Sequence, residues 1–237
     1  MQADVFWHEY LPPYLQATAI AAAAVKEIPD FEILVNISQM TVSQMTLTEM
    51  TESPQQQQHW LGKQVLNWSG VPVAHMRSTI FLEPFFSSMA ASSIAKDGTI
   101  RWPFGSSRTS PISASDVARV VSTILEDPTG HRGNVYELTG PRSEDMNEIA
   151  REYATALNRP VKYVDTPYSK WLKEELLPLN LPQYNYQHVS SMAKLIAENR
   201  YDRLTSDVQK LTGKPSMSVR EYVTAHPEVF STAAVMR

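Results

Sequence analysis

Cysteine is absent from this chain of 237 residues, and glycine is scarce, with eight residues in all. Without cysteine there is no disulfide, no thiol nucleophile and no cysteine-ligated zinc site. No glycines stand in the spacing G-x-G-x-x-G or G-x-x-G-x-x-G, the motifs that hold phosphates at helix N-termini. Long runs of Lys and Arg are also absent, and the net charge of −4 argues against electrostatic binding of nucleic acid.

A membrane-spanning segment is not predicted either. No apolar run approaches the roughly 20 residues that a transmembrane helix needs. The apolar stretch 17–25 is short, and Asp4 and Glu9 precede it where a secretory signal carries basic residues. Because hydrophobic residues make up 43% of the chain, we expect a globular, cytoplasmic protein with a sizeable core.

Motifs for metal binding and hydrolysis are missing as well. The histidines show no paired metal-ligand spacing and H-E-x-x-H does not occur, so no metal site is predicted. The serine hydrolase motif G-x-S-x-G is absent too. A hydrolase nevertheless stays open as a hypothesis, because catalytic triads assemble from residues far apart in sequence.

What the chain does contain is an alternation of helices and short apolar strands, typical of an α/β fold with a parallel sheet. The elements predicted for the first part are a helix at 14–26, a strand at 31–38, a loop at 39–52, a helix from Ser53 to Gly70 and a strand at 72–76. The predicted apolar stripe of the second helix comprises Leu61, Gln64, Val65 and Trp68.

Three later helices have recognisable N-terminal residues. Ser113 with Asp116 three residues on predicts one capping box, and Ser218 with Glu221 predicts another at the last helix. Between them, Ser143 is predicted to cap a third helix, since the acidic residues that follow it suit a helix N-terminus.

Two segments carry a likeness to a known family. The first reads HWLGKQVLNWSGVPV over residues 59–73 and continues into MRSTIFLE at 76–83. The second reads SPISASDVA over residues 110–118 and is followed by YELTGP at 136–141. With these segments the chain resembles the NmrA-like family of atypical short-chain dehydrogenases, which includes NAD(P)H-dependent quinone reductases, isoflavone-type reductases and non-catalytic redox sensors.

The resemblance implies a partial Rossmann-like parallel sheet flanked by helices, with a small, mostly helical C-terminal lobe. Residues 1–165 would form the NAD(P)-binding domain, with 98–112 contributing to the substrate side, and residues 166–237 the substrate lobe. Family members begin with a strand, a glycine-rich loop and a helix, and this chain is expected to start after them. Since the backbone N–H groups of that loop hold the pyrophosphate, we expect NAD(P) binding to be weak or absent.

The catalytic residues that the resemblance implies are a Ser, a Tyr and a Lys four residues after the Tyr. Ser38, His59 and Lys63 take these places here, with His59 as the proton donor instead of a tyrosine and Lys63 holding the nicotinamide ribose. On a helical wheel His59 and Lys63 lie opposite the predicted apolar stripe. That position fits a pair facing a cleft and equally a pair on a solvated surface.

The residues after the second predicted strand complete the candidate site. The resemblance implies that Arg77, Ser78 and Thr79 bind the cofactor together with Lys63, with Ser78 in place of the usual proline. The alternative for Arg77 is an ion pair with an acid at the end of the sheet. The residues expected to line a substrate cleft are Phe81, Glu83 and Phe85, although the two aromatic rings fit core packing as well.

The strand at 31–38 is expected to lie at an unpaired sheet edge, because its family neighbour precedes this chain. Such an edge invites pairing with a second chain, so we expect a homodimer or larger assembly. The alternative is that residues 4–7 supply a replacement strand.

The function predicted from these features is an NAD(P)-dependent oxidoreductase, or a truncated descendant of one, acting on a small carbonyl or quinone. Two alternatives stay open at this point. One is a non-catalytic sensor or interaction protein that does not bind the dinucleotide, and the other is a hydrolase-type activity in the vacated cleft.

Overall fold

The computed structural model describes residues 11–231, apart from the side chains of residues 11–13, 84, 85 and 88. The strands are β1 (Leu34–Gln39), β2 (Val73–Ser78), β3 (Thr99–Trp102), β4 (Arg108–Thr109), β5 (Val135–Leu138), β6 (Glu144–Asp145) and β7 (Lys162–Asp165). The helices are α1 (Leu11–Lys26), α2 (Pro54–Ser69), α3 (Ser88–Asp97), α4 (Ala114–Glu126), α5 (Met146–Leu157), α6 (Tyr168–Trp171), α7 (Gln183–Ala197), α8 (Asp207–Thr212) and α9 (Val219–Ala225). Short 3-10 segments are Met40–Gln44, Leu177–Leu179 and Pro227–Phe230, and π-helical segments are Leu82–Ser87 and Leu172–Leu176.

A three-stranded parallel sheet in the order β1-β2-β5 forms the centre of the first part of the chain. Each strand is reached from the previous one through a helix, which is how parallel strands must be connected. One face of the sheet buries Ala74 and Met76 of β2 against Ile124 and Val120 of α4. The α/β fold with a parallel sheet flanked by helices is therefore confirmed.

The edge of this sheet is formed by β1, which pairs with β2 and with no other strand between residues 11 and 231. Ile37 on β1 is 49% exposed. Residues 4–7, the alternative source of a neighbouring strand, lie outside the described residues. Pairing of this edge with a second copy thus stays a prediction.

The buried face of α2 differs from the predicted stripe. Trp68 is 75% exposed, and the residues that α2 buries are Gln56, Gln58, Trp60, Gly62 and Leu66. The reason is that α2 packs on α1 and α7 as well as on the sheet, so that polar side chains are buried beside apolar ones. Gly62 lets α1 approach closely, since a Cβ there would lie 2.8 Å from the Tyr14 ring.

Two of the three predicted helix caps are confirmed. The hydroxyls of Ser113 and Ser218 accept hydrogen bonds from backbone N–H groups in the first turns of α4 and α9. The full capping box is present at Ser218 with Glu221, whereas the Asp116 carboxylate accepts from the Ser113 hydroxyl. The prediction for Ser143 is wrong, because Asp145 caps α5 and Glu148 closes its capping box. Residues 144–145 pair with β4 as strand β6, and this pairing moves the start of the helix past Ser143.

Residues 39–52, predicted as a loop, contain a 3-10 helix whose first three residues are buried. Met40 and Val42 of this 3-10 helix are buried apolar side chains, although the segment is polar in composition.

The largest apolar cluster lies beside the three-stranded sheet and joins α3, β3 and α5 to the C-terminal helices. Its largest fully buried rings belong to Trp102, Phe104, Tyr153 and Trp171. β3 pairs in parallel with β7, which attaches the segment after α3 to the start of the C-terminal part. The division of the chain at residue 165 stays a prediction.

Between residues 11 and 231, no helix combines the length and the apolar character needed to cross a bilayer.

Candidate functional site

A cavity of about 540 Å³ opens at the carboxyl ends of β1 and β2. In doubly wound α/β folds ligands bind at this edge of the sheet. The cavity is lined by Ile37, Ser38, Gln39, Gln55, His59, Ser78, Thr79, Ile80, Phe81, Met89, Leu179, Leu181, Asn185, His188, Val189, Met192 and Tyr201. Five residues predicted from the sequence come together here, namely Ser38, His59, Ser78, Thr79 and Phe81.

Three hydroxyl groups stand at the strand ends. β1 and β2 run in register with Gln39 beside Ser78, so Ser38, Ser78 and the next residue, Thr79, reach the same edge. All three are nearly fully buried, and none of their hydroxyl groups has a hydrogen-bond partner among the residues that the structure describes. Leaving a buried hydroxyl without a partner costs about 1–3 kcal/mol. The three residues line the cavity, and their hydroxyl groups are not used by the rest of the described chain.

His59 enters the cavity from the second turn of α2. Its Nδ1 lies 3.3 Å from the hydroxyl of Tyr14 on α1, and the two rings are in contact. Burial lowers the pKa of His59 to about 4, so the imidazole is neutral near pH 7. A neutral imidazole acts through one N–H as a hydrogen-bond donor and is a weak acid compared with an imidazolium.

His188 is a second imidazole in the lining, and it was not predicted as a site residue. It lies on α7, and its Nδ1 is 2.9 Å from Oγ of Ser53, the N-cap residue of α2. Burial, assisted by the neighbouring His59, lowers the pKa of His188 to about 4. No local motif points to this residue, because its partner is 135 positions away in the chain.

Lys63 and Arg77 are not among the described residues that line the cavity. Lys63 lies one turn beyond His59 on α2, where burial and the positive charge of Arg77 lower its pKa. Arg77 pairs with Glu137 of β5 at 3.7 Å, the alternative that the sequence analysis named for it. Glu137 also binds Arg203 at 3.0 Å. Two cations therefore share one carboxylate behind the cavity.

The predicted substrate residues are separated in the structure. Phe81 lines the cavity, whereas Glu83 accepts a hydrogen bond from the backbone N–H of Ala114 at 3.0 Å. That position, at the N-terminus of α4, suits a carboxylate because the helix dipole is positive there. The Phe85 side chain lies outside the described residues.

The glycines of this chain stand at helix ends and at close backbone contacts. Gly70, Gly98 and Gly213 end helices with positive φ, and Gly140 approaches a backbone carbonyl so closely that a Cβ would lie 2.1 Å from it. None of the eight glycines begins a helix in residues 11–231. The described residues thus contain no glycine-rich helix N-terminus of the kind that holds a pyrophosphate.

The sequence pattern of the NmrA-like family matches residues 63–223. The chain belongs to the NmrA-like family. The resemblance derived from its sequence is therefore confirmed. Between residues 11 and 231, no group of three potential ligand side chains is placed to hold a metal ion.

One relative in sequence is an NAD(P)H azoreductase from Xenophilus azovorans, 28% identical over 184 residues. The match covers 77% of this chain and 63% of the azoreductase, so the chain spans less than two thirds of that relative.

Two solved structures of NmrA-like fold have similar architecture. The NADPH complex of a quinone oxidoreductase from Escherichia coli has a TM-score of 0.76 at 17% identity, over 92% of this chain and 72% of the other. The negative transcriptional regulator NmrA, in complex with NADP, has a TM-score of 0.72 at 16% identity, over 93% and 72%. At such identities the likeness establishes the fold alone.

Proposed function

We propose that this chain carries the acceptor-binding side of an NAD(P)H-dependent reductase for a small, uncharged carbonyl or quinone compound. The observation that carries the proposal is the largely apolar cavity at the carboxyl ends of β1 and β2, with buried hydroxyls on its sheet side. The azoreductase relative and the quinone oxidoreductase of similar fold support the same class of reaction.

The hydroxyls of Ser38, Ser78 and Thr79 would hold the nicotinamide end of the cofactor, whose chemistry is the supply of a hydride. Apolar residues from the C-terminal part, such as Leu181 and Met192, cover the opposite side and exclude water from the acceptor. Because the lining is apolar and its imidazoles are neutral, a charged acceptor would lose its hydration without gaining a counter-ion. An uncharged, planar compound fits this cavity better.

His59 is the proposed donor to the acceptor oxygen. With the Tyr14 hydroxyl donating to Nδ1, the proton of the neutral ring is on Nε2. Transfer of that proton to the reduced oxygen leaves a negative charge on the His59 ring. The positive charges of Lys63, one turn along α2, and of Arg77 on β2 would help to stabilise it. Lys63 and Arg77 would thus act through their charge rather than by contact.

Reduction is favoured over hydrolysis by the position of the serines. The serine that contacts an imidazole is Ser53, which is fully buried and caps α2, so its oxygen is not presented to a substrate. Ser38 and Ser78 line the cavity, and neither hydroxyl has an imidazole partner among the described residues. A nucleophile needs an adjacent base, and neither serine has one there.

A sensor without catalysis is the second candidate, favoured by the fold of the NADP-bound regulator NmrA and by the lack of a glycine cradle in residues 11–231. We propose that NAD(P) binds weakly to this chain in either case. We also propose that two copies associate through the open edge of β1. A cytoplasmic location stays a prediction.

The test is NADPH binding by fluorescence together with NADPH consumption in the presence of menadione, an uncharged quinone. We expect turnover in the unaltered chain, a loss of about tenfold or more in His59→Phe, and no change in the control His226→Gln, whose side chain is 46% exposed. Binding without turnover would favour the sensor. No binding at millimolar NADPH would contradict both the reductase and a dinucleotide sensor.

A further inference from the structure

A second hydroxyl–imidazole pair reaches the cavity from the side opposite the sheet. Ser53 stands at the start of α2 and His188 on α7, and their side chains meet at 2.9 Å. Ser53 is fully buried, and His188 is part of the cavity lining. The pair thus joins the start of α2 to α7.

The hydrogen bonds of Ser53 determine which nitrogen of His188 carries the proton. The Ser53 oxygen accepts a hydrogen bond from the backbone N–H of Gln56 at 3.3 Å. A backbone N–H can only donate, so the serine hydroxyl keeps its own proton for another acceptor. In the part of the chain that the structure describes, Nδ1 of His188 is the one acceptor within hydrogen-bond distance of this buried hydroxyl. The hydroxyl therefore donates to Nδ1, and the proton of the neutral imidazole is on Nε2.

Nε2 of His188 has no hydrogen-bond partner in the part of the chain that the structure describes. The neighbouring lining residues are the apolar Leu181, Val189 and Met192 and the polar Asn185, and no hydrogen bond joins the Asn185 side chain to Nε2. An N–H group that meets a largely apolar cavity without an acceptor is poorly satisfied, so a ligand oxygen in the cavity would be stabilised there. Protonation of the ring, which would remove the tautomer preference, is opposed by burial and by the nearby His59.

We propose that His188 donates a hydrogen bond from Nε2 to a carbonyl oxygen of the acceptor, and that Ser53 is the positioning residue that holds it in this tautomer. The proposal rests on the proposed function, since it takes the cavity as the acceptor site. It gives the acceptor two donors from different parts of the chain, His59 on α2 and His188 on α7. A compound with two carbonyl oxygens, such as a quinone, is the class that can use both.

The experiment measures binding without NADPH, so its result does not depend on catalysis. Menadione is compared with methylnaphthalene, which has the same ring skeleton and no oxygen atoms, by calorimetric titration. We expect the unaltered chain to prefer menadione, and His188→Phe to lose about tenfold of that preference, the contribution of about one hydrogen bond. His226→Gln is the matched histidine control and should bind both compounds unchanged.

Two amide variants test the same hydrogen bond if the phenylalanine variant does not fold correctly. The amide nitrogen of a glutamine reaches the position of Nε2, so His188→Gln should retain most of the preference for menadione. The amide of an asparagine is nearer to the position of Nδ1, so His188→Asn should lose it. Equal preference in these two variants, or in His188→Phe and the unaltered chain, would overturn the proposal.

The role of Ser53 has its own readout, which a purely structural effect would not change. Imidazole ¹⁵N shifts in NMR spectra distinguish the Nε2–H from the Nδ1–H tautomer. We expect His188 to be Nε2–H in the unaltered chain and a mixture of both tautomers in Ser53→Ala. An Nδ1–H ring in the unaltered chain would overturn the proposal. If menadione binds with this preference but is never reduced, the proposed function is refuted and the hydrogen bond from His188 is not.

Discussion

Acidification should destabilise this protein through His75, a buried histidine of β2 that is 2% exposed. Its Nδ1 lies 2.9 Å from the amide nitrogen of Asn36, and its Nε2 lies 2.9 Å from the amide oxygen of Asn67. The ring therefore accepts at one nitrogen and donates at the other. A second proton would face the amide N–H of Asn36, so the neutral form is the one that fits.

Burial, assisted by the positive charges of Lys63 and Arg77, lowers the pKa of His75 from 6.5 to about 4. Between these two values the unfolded chain binds a proton at this position that the folded chain does not. Stability is therefore complete above pH 6.5 and is lost progressively as the pH falls towards 4. The loss from this one histidine is about 2 kcal/mol at about pH 5.

The measurement is the free energy of unfolding in urea at about pH 8 and about pH 5, for the unaltered chain and for His75→Gln. The variant will be less stable at both pH values because it loses packing and one hydrogen bond. The change in its free energy of unfolding between the two pH values, however, should be smaller than that of the unaltered chain by about 2 kcal/mol. His226→Gln should keep the full difference. If His75→Gln also keeps it, the histidine is not held neutral by the fold and the reasoning fails.

Three further predictions concern helix starts, close packing and association. Asp145→Ala should cost about 1 kcal/mol in urea unfolding and Ser143→Ala clearly less, because Asp145 is the cap of α5; the reverse order would contradict this. Gly140→Ala should cost about 2 kcal/mol or more, since the added Cβ meets a carbonyl oxygen at 2.1 Å, and an unchanged unfolding midpoint would contradict it. Ile37→Lys should convert a dimer to a monomer in sedimentation velocity, and an unaltered chain that is already monomeric would refute edge pairing.

The part of the candidate site that the family resemblance named could be predicted. Ser38 and Ser78 stand at the carboxyl ends of β1 and β2, Thr79 follows β2, and the ends of neighbouring parallel strands meet at one edge of a sheet. His59 and Phe81 flank the same strand ends, and both line the cavity. The roles assigned to these residues remain predictions, although their meeting place is established.

The contacts that give the site its chemistry could not be predicted. His188 meets Ser53 across 135 positions of sequence, and Tyr14 meets His59 across 45. Neither pair has a motif, because nothing in the local spacing of one residue indicates the other. The same holds for the exposed Trp68, since the buried face of α2 depends on where α1 and α7 pack.

The amino-acid sequence by itself determined the alternation of helices and parallel strands, two of the three helix caps and membership of the NmrA-like family. These features arise from hydrogen bonds and apolar periodicity within a few residues of one another. Only the tertiary structure decided which face of α2 is buried, where α5 begins and which side chains complete the cavity. Such features depend on packing between segments far apart in the chain, and the residues next to a given position in sequence do not indicate that packing.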